Sequence, residues 1–170
     1  MAKEVPLSTA ASGYHVFLSF SKDTSKKFTG HLHTALDHAG FHVFWGEDDM
    51  NRGENIELEL EKAIQSSRVS IVVFSKEFAS SSQCLDELVM ILNRMTASEH
   101  PVLPLFYDVE PSEVRNLRGC FKRAFTRHEK RFKAEAGERE IEWTDKIKGW
   151  KDALHEIANL AGMTLQQEAG

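Results

Sequence analysis

Four short apolar runs, each followed by a helical pattern, constrain this chain more than any other feature. They are residues 14–20 (YHVFLSF), 41–45 (FHVFW), 69–75 (VSIVVFS) and 101–109 (PVLPLFYDV). Each is rich in β-branched and aromatic residues and nearly continuous in apolar character, the text of a strand buried on both faces. After the first run, Phe28, Leu32, Ala35, Leu36 and Ala39 recur at helical spacing and stop at Gly40. Ile56, Leu60, Ala63 and Ile64 follow the second run, and Leu85, Leu88, Val89, Leu92 and Met95 the third. Pro101 and Pro104 make the start of the fourth run irregular. Residues 110–119 (EPSEVRNLRG) then read as a loop before a helix at CFKRAFTRHEKRF, and 133–143 as a charged connector. A last helix runs from Ile147 through Trp150, Leu154 and Ile157 to Gly162, with Met163, Thr164 and Leu165 as a fifth short strand.

Strands alternating with amphipathic helices predict an α/β fold with a parallel sheet covered on both faces. Ligands in such sheets sit beyond the carboxyl ends of the strands. The segments to inspect are therefore Phe20 to Thr24, Gly46 to Gly53, Ser75 to Glu87 and Asp108 to Pro111.

At 170 residues the chain is one domain long. The expected division is a disordered segment over 1–13, a domain over 14–166 and a tail over 167–170. A net charge of −5 argues against coating nucleic acid or an anionic membrane as the main task. No apolar stretch approaches a membrane span or a signal core, so the expected location is cytoplasmic, with the nucleus as the alternative. Cys84 and Cys120 form no CxxC, and neither His31 with His33 nor His38 with His42 is spaced to hold a metal, so no metal site is expected. No glycine phosphate cradle follows a strand, and VSIVVFSK lacks the strand-end aspartate of a receiver domain.

Two features remain open on the residues alone. In SSSQCLDELVMIL, Asp86 and Glu87 read as acids in the first turn of a helix that Ser81 or Ser82 caps. Placing residues about 100° apart puts Asp86 outside the apolar stripe and Glu87 at its edge, between Cys84 and Ile91. In that bland reading either acid contributes only about 0.3–1 kcal/mol through the helix dipole. The second feature is the segment from Arg115 to Lys133, which opposes many basic residues to Glu129 alone. It is either a phosphate or nucleic-acid surface or a solvated helix face balanced by Glu135, Glu138, Glu140 and Glu142.

Five segments together resemble a plant Toll/interleukin receptor (TIR) domain: YHVFLSF, DHAGFHVFWGEDDMNRGENI, AIQSSRVSIVVFSKEFASSSQCLDELVMIL, VLPLFYDVEPSEVR and WKDALHEIANLAGMTL. The similarity runs from Tyr14 to Leu165. It implies a flavodoxin-like fold, a five-stranded parallel sheet in the order 2-1-3-4-5. It also implies an NAD+ nucleosidase that breaks the nicotinamide–ribose bond, giving ADP-ribose or cyclic variants as signals in plant innate immunity and cell death. NAD+ is the substrate and no cofactor is implied. The resemblance makes Glu87 the catalytic glutamate. It places Phe20, Ser21, Lys22, Gln83, Cys84 and Trp45 at the substrate, and Asp49, Arg52 and Gly53 in a loop near the site. Gly30 and His31 are matched to a self-association surface, and the loop of a neighbouring copy to closure of the site. The alternatives are a non-catalytic TIR adaptor acting by self-association, and a nucleic-acid-dependent 2′,3′-cyclic nucleotide synthetase in which Cys84 takes part.

The implied chemistry suits one carboxylate. Loss of nicotinamide leaves an oxocarbenium-like ribose that nearby negative charge stabilises, and an electron-poor leaving group departs without acid help. Three departures from the family pattern stand out. Phe20-Ser21-Lys22-Asp23-Thr24-Ser25 replaces an FRGEDTR-like sequence, so serines stand where arginines grip phosphate. Gln83 replaces a tryptophan four residues before the glutamate, leaving Trp45 as the candidate stacking surface. The family's long last helix would follow MTL, so the chain reads as a minimal or shortened TIR domain.

Overall fold

The computed structural model describes residues 13–24, 27–45, 56–135 and 140–165. Its strands are β1 (Tyr14–Ser19), β2 (Val43–Phe44), β3 (Ser67–Phe74), β4 (Val102–Tyr107) and β5 (Met163–Leu165). The helices are α1 (Phe28–His38), α2 (Ile56–Ser66), α3 (Ser82–Ser98), α4 (Pro111–Arg115), α5 (Cys120–Glu135) and α6 (Glu140–Ala158), with 3-10 turns at Lys22–Thr24 and Phe78–Ser80. The strands form one five-stranded sheet in the order β2-β1-β3-β4-β5, parallel throughout. This is the flavodoxin-like order that the resemblance implies.

Period-two alternation divides the strand residues between two cores. Phe17, Phe44, Val72, Phe74 and Phe106 point to the face covered by α2, α3, α5 and α6, where Leu60 and Ile64 of α2 are buried and the largest buried side chain is Trp150. Val16, Leu18, Val43, Ile71, Val73 and Leu105 point to the other face, against Phe28, Leu32 and Leu36 of α1. Both faces are dry, which is why the runs read as continuously apolar.

Three expectations are corrected. The second strand spans Val43–Phe44 rather than 41–45. It lies at the sheet edge and pairs only with β1, so Phe41, with 44% of its surface exposed, has no second strand to bury it. Residues 110–119 hold the short helix α4 rather than only a loop. Its start is a capping box in which the Glu113 carboxylate accepts the Glu110 N–H at 2.8 Å, with Pro111 at the first helical position. A glutamate in the cap position hid this signal. The charged stretch 133–143 is mostly helix, because α5 continues to Glu135 and α6 begins at Glu140. Glu140 and Glu142 occupy the positive end of α6, and Phe132 stacks on Trp143 at 6.1 Å.

Gly162 joins α6 to β5 where a Cβ would run into the carbonyl oxygen and ring of Pro104 on β4. The obstruction is backbone, so relief requires moving the strand. Gly162→Ala is expected to destabilise the fold by about 1–3 kcal/mol, the usual cost of overpacking. Urea unfolding measures this, and an unchanged midpoint would show that β5 is not held against Pro104 in solution.

Candidate active site

α3 aims the acids of the CLDEL segment. Its N-cap is Ser81, whose Oγ accepts the Cys84 N–H at 3.1 Å. Helix starting at Ser82 puts Asp86 and Glu87 in the second turn, not the first, so neither serves the helix dipole as the pattern suggested. Their directions differ by one helical step. Asp86 faces α6, accepting the Trp150 indole N–H at 2.9 Å, with the Lys146 ammonium 3.8 Å away. It is therefore a tie between helices, a correction to its reading as a first-turn acid.

Glu87 turns toward the strand ends and is only 6% exposed. Ser19, the last residue of β1, donates its hydroxyl to Glu87 Oε1 at 2.9 Å. Gln83, one turn earlier on α3, donates its amide to Oε2 at 3.2 Å. Burial pushes the Glu87 carboxyl up from 4.5 to about 7, with the nearby Asp86 charge adding to it, against the lowering by the Ser19 and Gln83 hydrogen bonds. A carboxyl poised at neutrality in a strand-end position has the properties of an acid–base or electrostatic catalyst.

Cys84, also buried, donates its thiol to the Phe20 carbonyl at 3.3 Å. Burial, reinforced by the charges of Glu87 and Asp23 and opposed by the Ser81 hydrogen bond, pushes this thiol up to about 12. At neutral pH it is protonated and serves as a hydrogen-bond donor.

The other predicted residues are only partly gathered here. Trp45 contacts Phe20 at 4.6 Å between ring centroids and His33 at 4.3 Å, an aromatic group at the ends of β1 and β2. Ser21 is buried, its hydroxyl 3.5 Å from the Glu77 carbonyl, whereas Lys22 is exposed on the adjoining turn. Asp23 accepts the Ser75 hydroxyl at 2.9 Å and the Glu77 N–H at 3.4 Å, which fastens the loop after β1 to the loop after β3. Asp49, Arg52 and Gly53 lie outside the described residues. Gly30 and His31 stand on α1, with His31 exposed. Among the described residues, no group of three His, Cys, Asp or Glu side chains could hold a metal ion, and no helix is long and apolar enough to cross a membrane.

The segment from Arg115 to Lys133 comprises the last residue of α4, a turn and most of α5. It has a structural use: Arg127 donates to the Ser80 hydroxyl at 2.7 Å and the His128 ring bonds the Ala79 carbonyl at 2.7 Å, so α5 clamps the 3-10 turn that leads into α3. Lys122, Arg123, Lys130, Arg131 and Lys133 remain on the exposed face. Ser19 is the site residue that sequence reasoning missed. The available signal was a single hydroxyl in the last position of an otherwise apolar strand.

The TIR domain family model matches residues 13–169. Disease resistance protein RPV1 of Vitis rotundifolia is 45% identical over 153 residues, covering 89% of this chain and 10% of that protein. TMV resistance protein N of Nicotiana glutinosa is 42% identical over 156 residues, covering 91% of this chain and 13% of its own length. The chain thus spans 10–13% of the length of these two relatives. The TIR domains in the structure of the activated Roq1 resistosome, which directly recognises the pathogen effector XopQ, align with a TM-score of 0.77 and 44% identity, over 90% of this chain and 88% of that one.

Proposed function

The chain belongs to the TIR domain family, and from that premise we propose that it is an NAD+ nucleosidase serving plant immune signalling. The observation that carries this reading is Glu87, a buried carboxylate at the strand ends whose proton affinity is raised to about 7. In the reaction, the bond between ribose C1′ and the pyridinium nitrogen breaks and its electron pair neutralises the nicotinamide ring. Ionised Glu87 stabilises the resulting ribosyl cation. Water then adds at C1′ to give ADP-ribose, its proton passing to a carboxylate poised near neutrality, or a nucleophile within the molecule closes a cyclic product. The aromatic group of Phe20, Trp45 and His33 lies at the ends of the neighbouring strands and is of the kind that lines a base-binding surface. The disease-resistance names of the relatives support the immune role, and a cytoplasmic location accords with it.

The Roq1 resistosome comparison supports self-association of this chain as part of its action, and the contact surface proposed for it is Gly30 and His31 on α1. A neighbouring copy would complete a site that one copy leaves unfinished. The second reading is a non-catalytic adaptor, favoured by the closure of Glu87, whose two oxygens are both occupied by donors of this chain.

Chromatography of NAD+ incubated with the pure protein separates the two. Nicotinamide release is expected, with specific activity rising over about a hundredfold increase in protein concentration, as mass action requires of an assembled site. Turnover independent of concentration would sink the assembly requirement, and no nicotinamide from concentrated protein would leave the adaptor.

A further inference from the structure

The two donors on Glu87 are not equivalent. Ser19 belongs to the sheet: it is fully buried and its backbone is in register with Val72 of β3, so its hydroxyl turns about a single side-chain bond and inside a packed interior. Gln83 is half-buried on the first turn of α3, and its long side chain reaches across one helical turn to make a single bond of 3.2 Å. Rotation about its side-chain bonds frees Oε2 and disturbs no strand. Each carboxylate oxygen has about two acceptor sites, so what the Gln83 amide takes from an incoming ribose hydroxyl is the part-buried approach to Oε2 and not the whole capacity of that oxygen.

We infer that Gln83 is a lid on Glu87: its amide occupies the carboxylate oxygen that a ribose diol must reach and swings aside when a ribosyl ligand enters. The inference rests on the reading of Glu87 as the ribose-facing carboxylate. Ser19 and Gln83 then have opposite roles. Ser19 positions the carboxylate, whereas Gln83 holds it closed and weakens binding by the worth of one hydrogen bond, about three- to tenfold in affinity.

The test compares wild type, Gln83→Ala and Ser19→Ala at about pH 9, above the Glu87 pKa of about 7, so that the carboxylate is ionised. Alanine at position 83 suits a helix, so this variant keeps the fold. ADP-ribose affinity, measured by NMR titration, is expected to tighten about three- to tenfold in Gln83→Ala. The kcat/KM for NAD+ rises by the same factor through KM, with kcat little changed. Ser19→Ala lowers kcat instead. In both variants the Glu87 carboxyl, followed by carbon-13 NMR, titrates at a higher pH than in wild type, because each loses a donor to the charged form. Weaker, unchanged or undetectable ADP-ribose binding by Gln83→Ala overturns the lid, whatever the turnover. If ADP-ribose binding tightens but no variant releases nicotinamide, the lid stands and the nucleosidase reading falls.

Discussion

Glu87→Gln is expected to lower NAD+ turnover by about a hundredfold or more, the scale of losing one electrostatic stabiliser, while raising the melting temperature at pH 8. Glutamine keeps the size of the side chain and an oxygen for the Ser19 hydroxyl but removes the charge. The stability gain follows from the sign of the pKa change. In the folded chain the Glu87 carboxyl holds its proton up to about 7, whereas its ordinary value is 4.5. Its favourable contribution is therefore complete below pH 4.5, is lost as pH rises through 7, and leaves a buried charge above that. Removing that charge stabilises the fold by roughly 1–3 kcal/mol above pH 7. Wild type should lose stability relative to the variant between pH 4.5 and about 7, and melts across this range measure it. A pattern-based view of Glu87 as a first-turn acid gives the opposite sign, a small loss on substitution. A variant that melts below wild type at pH 8 would show that the carboxylate is hydrated in solution, and full turnover would remove Glu87 from the chemistry.

Trp150→Ala is expected to cost about 3–5 kcal/mol, among the largest effects of any single change here. Trp150 is 1% exposed and lies against His128 at 5.0 Å and Phe125 at 6.3 Å between ring centroids. Its indole N–H also binds Asp86 across the α3–α6 contact. Trp150→Phe keeps an aromatic ring but removes the N–H along with part of the buried ring; the bond's own share is about 1–2 kcal/mol, since the half-exposed Asp86 keeps Lys146 and gains water, and the cavity adds to it. A double-mutant cycle with Asp86→Ala should return a coupling of about 0.5–2 kcal/mol. Asp86→Asn keeps an acceptor for the indole, and with it most of the stability and the turnover. Urea midpoints decide the point: a cycle with zero coupling would mean that the crossing of α3 and α6 is set by packing alone.

The order of strands and helices was legible in the chain because burial on both faces leaves a local trace. Val16, Phe17 and Leu18 go alternately to two cores, and both are apolar, so the run is unbroken and its class follows. A serine cap for α3, Ser81 or Ser82, was equally visible, since the bond that Ser81 makes spans only three residues. The edges of elements were less legible. β2 is short because it has one neighbour, and α4 begins on a glutamate cap.

The candidate site divides the same way. Sequence alone, through segments that resemble a family, singled out Glu87 and set it apart from Asp86 by one helical step. What each acid does was decided by partners far along the chain: Ser19, 68 residues before Glu87, and Trp150, 64 residues after Asp86. No local pattern encodes such pairings, because they arise where β1 and α6 each come to lie beside α3 in the folded chain. Nor does a pattern encode proton affinity. The raised pKa of Glu87 comes from removing its carboxyl from water, and the extent of that removal is a property of the closed fold.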